Sequence, residues 1–92
     1  MQKKLPYVLS IAGLDPSGGA GMLADVKTME ACGVIGFGVC TGITYQNESE
    51  FDGLEWVPLS KIIAQIKPLI RKYEIKVVKI GIIENFDILN EL

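Results

Sequence analysis

The sequence predicts an α/β fold built on a parallel sheet with right-handed crossovers. Three observations lead there. Short apolar runs, Tyr7 to Ala12, Gly36 to Thr41 and Ile75 to Gly81, read as strands. Segments with helical spacing of apolar residues lie between them. The first run ends in a glycine-rich loop that leads straight into a helix pattern, the arrangement of a βα unit.

The first run, Tyr7-Val8-Leu9-Ser10-Ile11-Ala12, is nearly continuous in apolar residues and ends at Gly13. Such a run fits a strand buried on both faces. Gly13 to Gly21 then carries Gly13, Gly18, Gly19 and Gly21 with Pro16 among them. Glycine serves where φ is positive or where a ligand approaches the backbone closely. Met22, Leu23, Val26 and Met29 recur at helical spacing, so a first helix is expected from about Ala20 to Cys32, with Gly33 as its C-terminal glycine. Gly42 to Glu55 is polar and is expected as a loop or a short edge hairpin, with Trp56 anchoring its return. Pro58 suits the first turn of the next helix, with Ser60 a competing cap. Ile62, Ile63, Ile66, Leu69, Ile70 and Tyr73 fall on one helical stripe, the strongest helix signal in the chain. Pro68 lies inside that stripe and would clash with the carbonyl of Ala64, which predicts a kink or a break. After the Ile75–Gly81 strand, Asn85 is placed to cap a last helix, Phe86 to Leu92.

Composition narrows the function. The 92 residues allow one domain at most, and 49% of them are apolar, which is ample for a core. A net charge of −2 without a dense Lys/Arg cluster speaks against nucleic acid as a partner. The sequence has no histidine, which excludes His-based catalysis and His-based metal sites in this chain. Cys32 and Cys40 do not form a metal or redox motif and read as reduced thiols of a cytoplasmic protein. No apolar run approaches the ~20 residues of a membrane span. Lys3-Lys4 followed by Leu5 to Leu14 imitates a short signal peptide, but Pro6 interrupts it and no small-residue cleavage site follows. Three strands make a very small parallel sheet whose last helix has no closing strand, so the chain reads as the N-terminal part of something larger.

The Gly13–Gly21 loop and the following helix start form a ready site for a polar or anionic small molecule. It is not a P-loop, because Gly19 stands where the lysine must be. It is not a dinucleotide fingerprint either, because Ala24 stands at the third glycine and no acidic residue closes a second strand near position 40. A plain tight βα turn is the simpler alternative. Gln46, just past the second strand, has an amide able to pair with the edge of an amino-heterocycle, or simply faces water. Ile82, just past the third strand, offers an apolar wall, or is plain core. Ligands of open α/β sheets collect at the carboxyl ends of strands. The Gly19 loop, Gln46 and Ile82 are therefore expected to converge on one crevice, with Asp25 one helical turn away and facing it.

Ala12 to Gly21 with its Asp15-Pro16-Ser17-Gly18-Gly19-Ala20-Gly21 block, then Ala24 to Thr28, Thr41 to Asn47 and Val78 to Gly81, resemble the hydroxymethylpyrimidine and phosphomethylpyrimidine kinases of thiamin biosynthesis. The resemblance runs along nearly the whole chain. It implies a three-layer α/β/α ribokinase-like fold, here as its N-terminal β-α-β-loop-α-β-α part, residues 1–92, carrying the substrate pocket. It implies MgATP-dependent phosphorylation of 4-amino-5-hydroxymethyl-2-methylpyrimidine and then of its monophosphate. Ala20, through its backbone, and Gln46 are implied to hold the aminopyrimidine, with Asp25, Thr44 and Ile82 around the ring and Gly19 and Asp15 in the loop. Leu14, Tyr45 and Ile82 depart from the family's small hydroxyl residue, alanine and methionine, and Tyr45 is expected to crowd the pocket. The family's ATP and Mg2+ groups and its catalytic Gly-Thr-Gly segment belong to a second half that this sequence does not contain. No catalytic or metal-binding residue is therefore assigned, and the chain alone is expected to be inactive. Two alternatives stand beside this reading. One is a pyridoxal- or pyridoxine-type vitamin kinase of the same fold. The other is a non-catalytic binding or assembly module. A homodimer, or pairing through the unfinished sheet edge, is expected.

Overall fold

In the computed structural model, which describes residues 5–92, the elements follow the order β1 (Tyr7–Leu14), α1 (Gly21–Ala31), β2 (Ile35–Gln46), β3 (Phe51–Trp56), α2 (Leu59–Lys72), β4 (Ile75–Ile80) and α3 (Phe86–Glu91). The Lys3-Lys4 pair lies outside the described residues. The sheet order is β3-β2-β1-β4. β1 pairs in parallel with both β2 and β4, and β3 joins β2 antiparallel. Because β1 is central, its residues Leu9 to Ala12 are all buried.

Strand alternation divides the packing between two faces. Leu9 lies beside Phe37, and Ile11 beside Val39. With Ile62 of α2 and Ile88 of α3, the residues Leu9, Ile11 and Val39 form the buried core. On the other face α1 crosses β1 and β2. There Gly36 and Gly38 give the helix room: a Cβ on Gly36 would stand 3.0 Å from Met29, and one on Gly38 3.4 Å from the Met22 sulfur. Helices therefore cover both faces of the sheet, as the α/β reading requires.

α1 ends where glycine permits it. Gly33 has φ +81°, its N–H donates to the Glu30 carbonyl, and the Val34 N–H donates to the Met29 carbonyl, both at 3.1 Å. This paired C-terminal closure satisfies two carbonyls that the helix leaves open. The expected ends, Ala20 and Cys32, are the two capping residues. At α3 the Asn85 side chain accepts from the Ile88 N–H at 3.0 Å, as expected of a cap.

Three expectations need correction. The sheet has four strands and is mixed, because β2 runs on past Thr41 to Gln46 and turns back as β3. The polar segment thus takes the edge-hairpin alternative. Its turn is closed by Asn47, whose Oδ1 accepts from the Ser49 N–H at 2.8 Å and the Glu50 N–H at 2.9 Å. Secondly, Pro68 does not break α2, which continues to Lys72. Ala64 and Pro68 are both exposed, so the carbonyl that loses its N–H partner faces water, which can replace it. Ile70 also leaves its predicted stripe and is 57% exposed, while Ile62, Ile66 and Leu69 pack on the core.

Below the hairpin, β2 has no strand partner on its outer side among the described residues. The Gln65 side chain fills the gap: its Oε1 accepts from the Cys40 N–H and its Nε2 donates to the Cys40 carbonyl, each at 2.9 Å. One amide from α2 thus occupies both ladder positions of Cys40.

Candidate functional site

The carboxyl ends of β1 and β4, the long extension of β2 and the strand β3 surround one cleft of about 420 Å3. That is the size of an ordinary small-molecule site. Three walls build it.

The first wall is backbone. Gly21 has φ +65°, and a Cβ there would collide with the Gly13 carbonyl oxygen. Leu14 and Gly21 pair as an isolated bridge, which folds the loop back over the end of β1. Asp15, 5% exposed, holds the loop from within. Its Oδ1 accepts from the Ser17 N–H at 2.9 Å and the Ser17 hydroxyl at 2.7 Å, and the Gly18 N–H donates to its carbonyl at 3.0 Å. The Ser17 hydroxyl is foremost in lowering its pKa, against a burial effect that raises it, and the N–H groups of Ser17, Ala20 and Gly19 assist. Asp15 lines the cleft, but its charge is spent on the loop.

The hairpin is the second wall, and its polarity is inverted. Thr44 and Gln46 face the cleft, whereas Ile43 and Tyr45 are exposed on the outside. Thr44 pairs with Leu54 and Gln46 with Phe51, so these four side chains share one face of the ribbon. Their polar groups form a directed relay. The Thr44 hydroxyl donates to the Leu14 carbonyl at 2.8 Å, and the Gln46 Nε2 donates to Thr44 Oγ1 at 2.7 Å. Thr44 has one proton, and a carbonyl can only accept it. Thr44 Oγ1 must therefore accept from Gln46. This fixes the amide orientation and leaves Gln46 Oε1 as an acceptor for a ligand's N–H.

The third wall follows β4. The Gly81 N–H donates to the Ile11 carbonyl at 2.8 Å, and the buried Thr41 hydroxyl donates to the Ile82 carbonyl at 2.7 Å. Ile82 is thereby laid over Gly13, where an added Cβ would stand 2.7 Å from its Cδ1. Lys79 lines the same wall and reaches toward α1, its Nζ 2.7 Å from both carboxylate oxygens of Asp25. The fully buried Ser10 adds a bond to Asp25 Oδ2 at 2.8 Å. Burial, the largest influence, raises the Asp25 pKa, but the hydrogen bonds from Lys79 and Ser10 and the Lys79 charge together bring it below the usual value.

Of the residues singled out in the sequence, Ala20, Asp15, Thr44, Gln46 and Ile82 line this one cleft. Gly19 is not among the lining residues. Asp25 stands behind Lys79, engaged with it and with Ser10. Tyr45 does not crowd the cleft; its hydroxyl donates to Glu55 Oε2 at 2.7 Å on the outer face. Lys79, Phe51 and Leu54 were missed. Lysines among the apolar residues of β4 were a signal for the first, though they do not separate Lys79 from Lys76. No sequence signal fixes the register that brings in the other two. Chemically, the cleft offers apolar walls, a backbone floor and one oriented amide, which suits a flat, polar heterocycle.

A family model described as phosphomethylpyrimidine kinase matches residues 15–92. A hydroxymethylpyrimidine/phosphomethylpyrimidine kinase of Rhizobium meliloti is 44% identical over 75 residues, covering 82% of this chain and 28% of that protein. The crystal structure of phosphomethylpyrimidine kinase from Clostridium difficile 630 superposes with a TM-score of 0.85 at 40% identity, covering 96% of this chain and 38% of the other. The pyridoxal kinase of Staphylococcus aureus in complex with AMP-PCP and pyridoxal superposes with a TM-score of 0.85 at 27% identity, covering 96% and 33%. The chain spans 28–31% of the length of the first curated relatives it matches.

Proposed function

Because the chain belongs to the phosphomethylpyrimidine kinase family, we propose that its cleft is the acceptor pocket for 4-amino-5-hydroxymethyl-2-methylpyrimidine and its monophosphate. The reaction served is phosphoryl transfer from ATP, with Mg2+, to the hydroxymethyl group and then to the monophosphate, in thiamin biosynthesis in the cytoplasm. Among the described residues no group of three His, Cys, Asp or Glu side chains could hold a metal ion. We therefore assign Mg2+ to no side chains among the described residues, and derive no step through Mg2+ or ATP. The part read here is recognition of the acceptor. Ala20 and Gly19 contribute backbone, Ile82 and Thr44 flank the ring, Asp15 shapes the loop, and Asp25 acts through Lys79.

The observation that carries the proposal is the Gln46–Thr44–Leu14 relay. It turns an acceptor oxygen toward the ligand, and a 4-amino group is the donor that oxygen needs. A site that hydrogen-bonds a ligand N–H rejects an analogue without it, because the buried acceptor is then left unpaired. In isothermal titration, the 4-amino compound should bind at least about tenfold more tightly than its 4-oxo analogue. Thr44→Val should erase that preference. Equal affinity for the two compounds in the unaltered chain sinks the proposal.

The pyridoxal-type alternative is favoured by the backbone match to a pyridoxal kinase. Tighter binding of pyridoxal than of the aminopyrimidine would establish it. The assembly-module alternative rests on the exposed apolar β4. Association of copies through that edge, with no ligand bound at all, is the outcome that favours it.

A further inference from the structure

We infer that Phe51 is a specificity residue of this pocket, stacking on the face of the ring whose edge Gln46 reads. The inference rests on the acceptor reading above. Phe51 opens β3 directly across from Gln46, and directly paired residues of an antiparallel ribbon have Cβ atoms roughly 5 Å apart on one face. An aromatic side chain there can cover a ring's face while the amide bonds in the ring's plane. Among the described residues, Phe51 is the one aromatic that lines the cleft.

Burial points the same way. Phe51 is 62% exposed, the most exposed large apolar side chain among the described residues, beside Leu54 at 37%. An apolar ring open to water gains by being covered. The occupant that fits between a backbone wall and a phenyl face is flat. Aliphatic Leu54 and Ile82 supply contact without a π-face, so preference for an aromatic ring over a saturated one of equal size falls to Phe51. Phe51 adjoins the Asn47 turn, outside the packed core, so changing it leaves the fold's supports in place.

The test uses the 92-residue chain and three variants, Phe51→Ala, Phe51→Leu and Phe51→Trp, titrated by NMR with 4-amino-5-hydroxymethyl-2-methylpyrimidine. A stacked phenyl shifts the probe's methyl resonance upfield, which a merely structural role would not do. Phe51→Ala and Phe51→Leu should weaken binding about tenfold and remove the upfield shift, as stacked bases respond to loss of an aromatic partner. Phe51→Trp should keep both, and circular dichroism should be unchanged in all three. Unaltered affinity and an unaltered methyl shift in Phe51→Ala overturn the inference while leaving the acceptor reading intact. If the chain binds pyridoxal and not the aminopyrimidine, the acceptor reading fails alone. Stacking then stands on a pyridoxal methyl shift that Phe51→Ala removes, and falls without one. Binding of neither probe overturns both.

Discussion

At the residue scale, the site works by using up hydrogen bonds so that few remain for a ligand. Asp15 is turned into its own loop, Thr44 into a relay, and Thr41 into a tie on Ile82. The Asp25–Lys79 pair makes a pH prediction. The folded state holds the Asp25 carboxyl below its ordinary value of 3.8. The folded chain therefore favours the ionised form, and the stabilisation is present above that value and lost as pH falls through the lower, folded one. Asp25→Asn should lower the urea midpoint at neutral pH and make no difference once pH drops well below 3.8. A deficit that is the same at every pH would refute the linkage. Gln46 was legible from amide chemistry at a strand end, while Ala20 and Asp15 came from the family resemblance. Phe51 was not, because a partner across a ribbon depends on register, which composition does not encode.

At the element scale, the helices and parallel strands were legible from their apolar spacing, which matches burial in β1 and on the core side of α2 but not in the exposed β4. The extension of β2 was not. In Ile43-Thr44-Tyr45-Gln46 the polar residues turn inward to the cleft and the apolar ones outward, reversing the usual pattern. Function inverted the signal that a structural reading follows. Pro68 misled for another reason: a proline's cost depends on where the orphaned carbonyl points. Replacing it tests this. Pro68→Ala restores an N–H toward Ala64 on the wet side of α2 and should raise stability by about 1–2 kcal/mol, since helix propensity improves while the unfolded chain gains some freedom. Urea unfolding followed at a far-ultraviolet wavelength measures it. A loss of stability would show that Pro68 makes contacts beyond those described.

At the scale of the whole molecule, the sheet is finished on one side only. The hairpin covers part of the β2 edge, but β4 carries Val77, Val78 and Ile80 at 57%, 50% and 39% exposure. Val78 pairs with Leu9, and Ile80 with Ile11, so the apolar face that begins in the core continues to an open border. Exposed borders of this kind invite pairing with another strand, and a charge on them opposes it. The chain should therefore self-associate in sedimentation velocity as concentration rises, and Val78→Lys should return it to a monomer. A wild-type chain that stays monomeric throughout contradicts the expectation. The parallel α/β arrangement was legible from the βα alternation, and so was an unfinished sheet edge; that β4 is that edge was not, because a strand's apolar content says nothing about which neighbour covers it.

The Gln65 amide has one more effect. By imitating a strand for the length of a single residue, it acts as a stop on a zipper. Hairpin pairing reaches down to the Val57 N–H, which donates to the Thr41 carbonyl at 2.9 Å, and stops there, next to Cys40. Above the stop β1 still follows β2 as far as the Leu14–Ile43 pair, and only beyond it is the hairpin a two-stranded tongue. Everything below is welded into the parallel sheet. The wall bearing Thr44, Gln46, Phe51 and Leu54 is therefore set at its root by the Leu14–Ile43 pair and the Thr44–Leu14 bond, and one side chain of α2 sets where the hairpin begins.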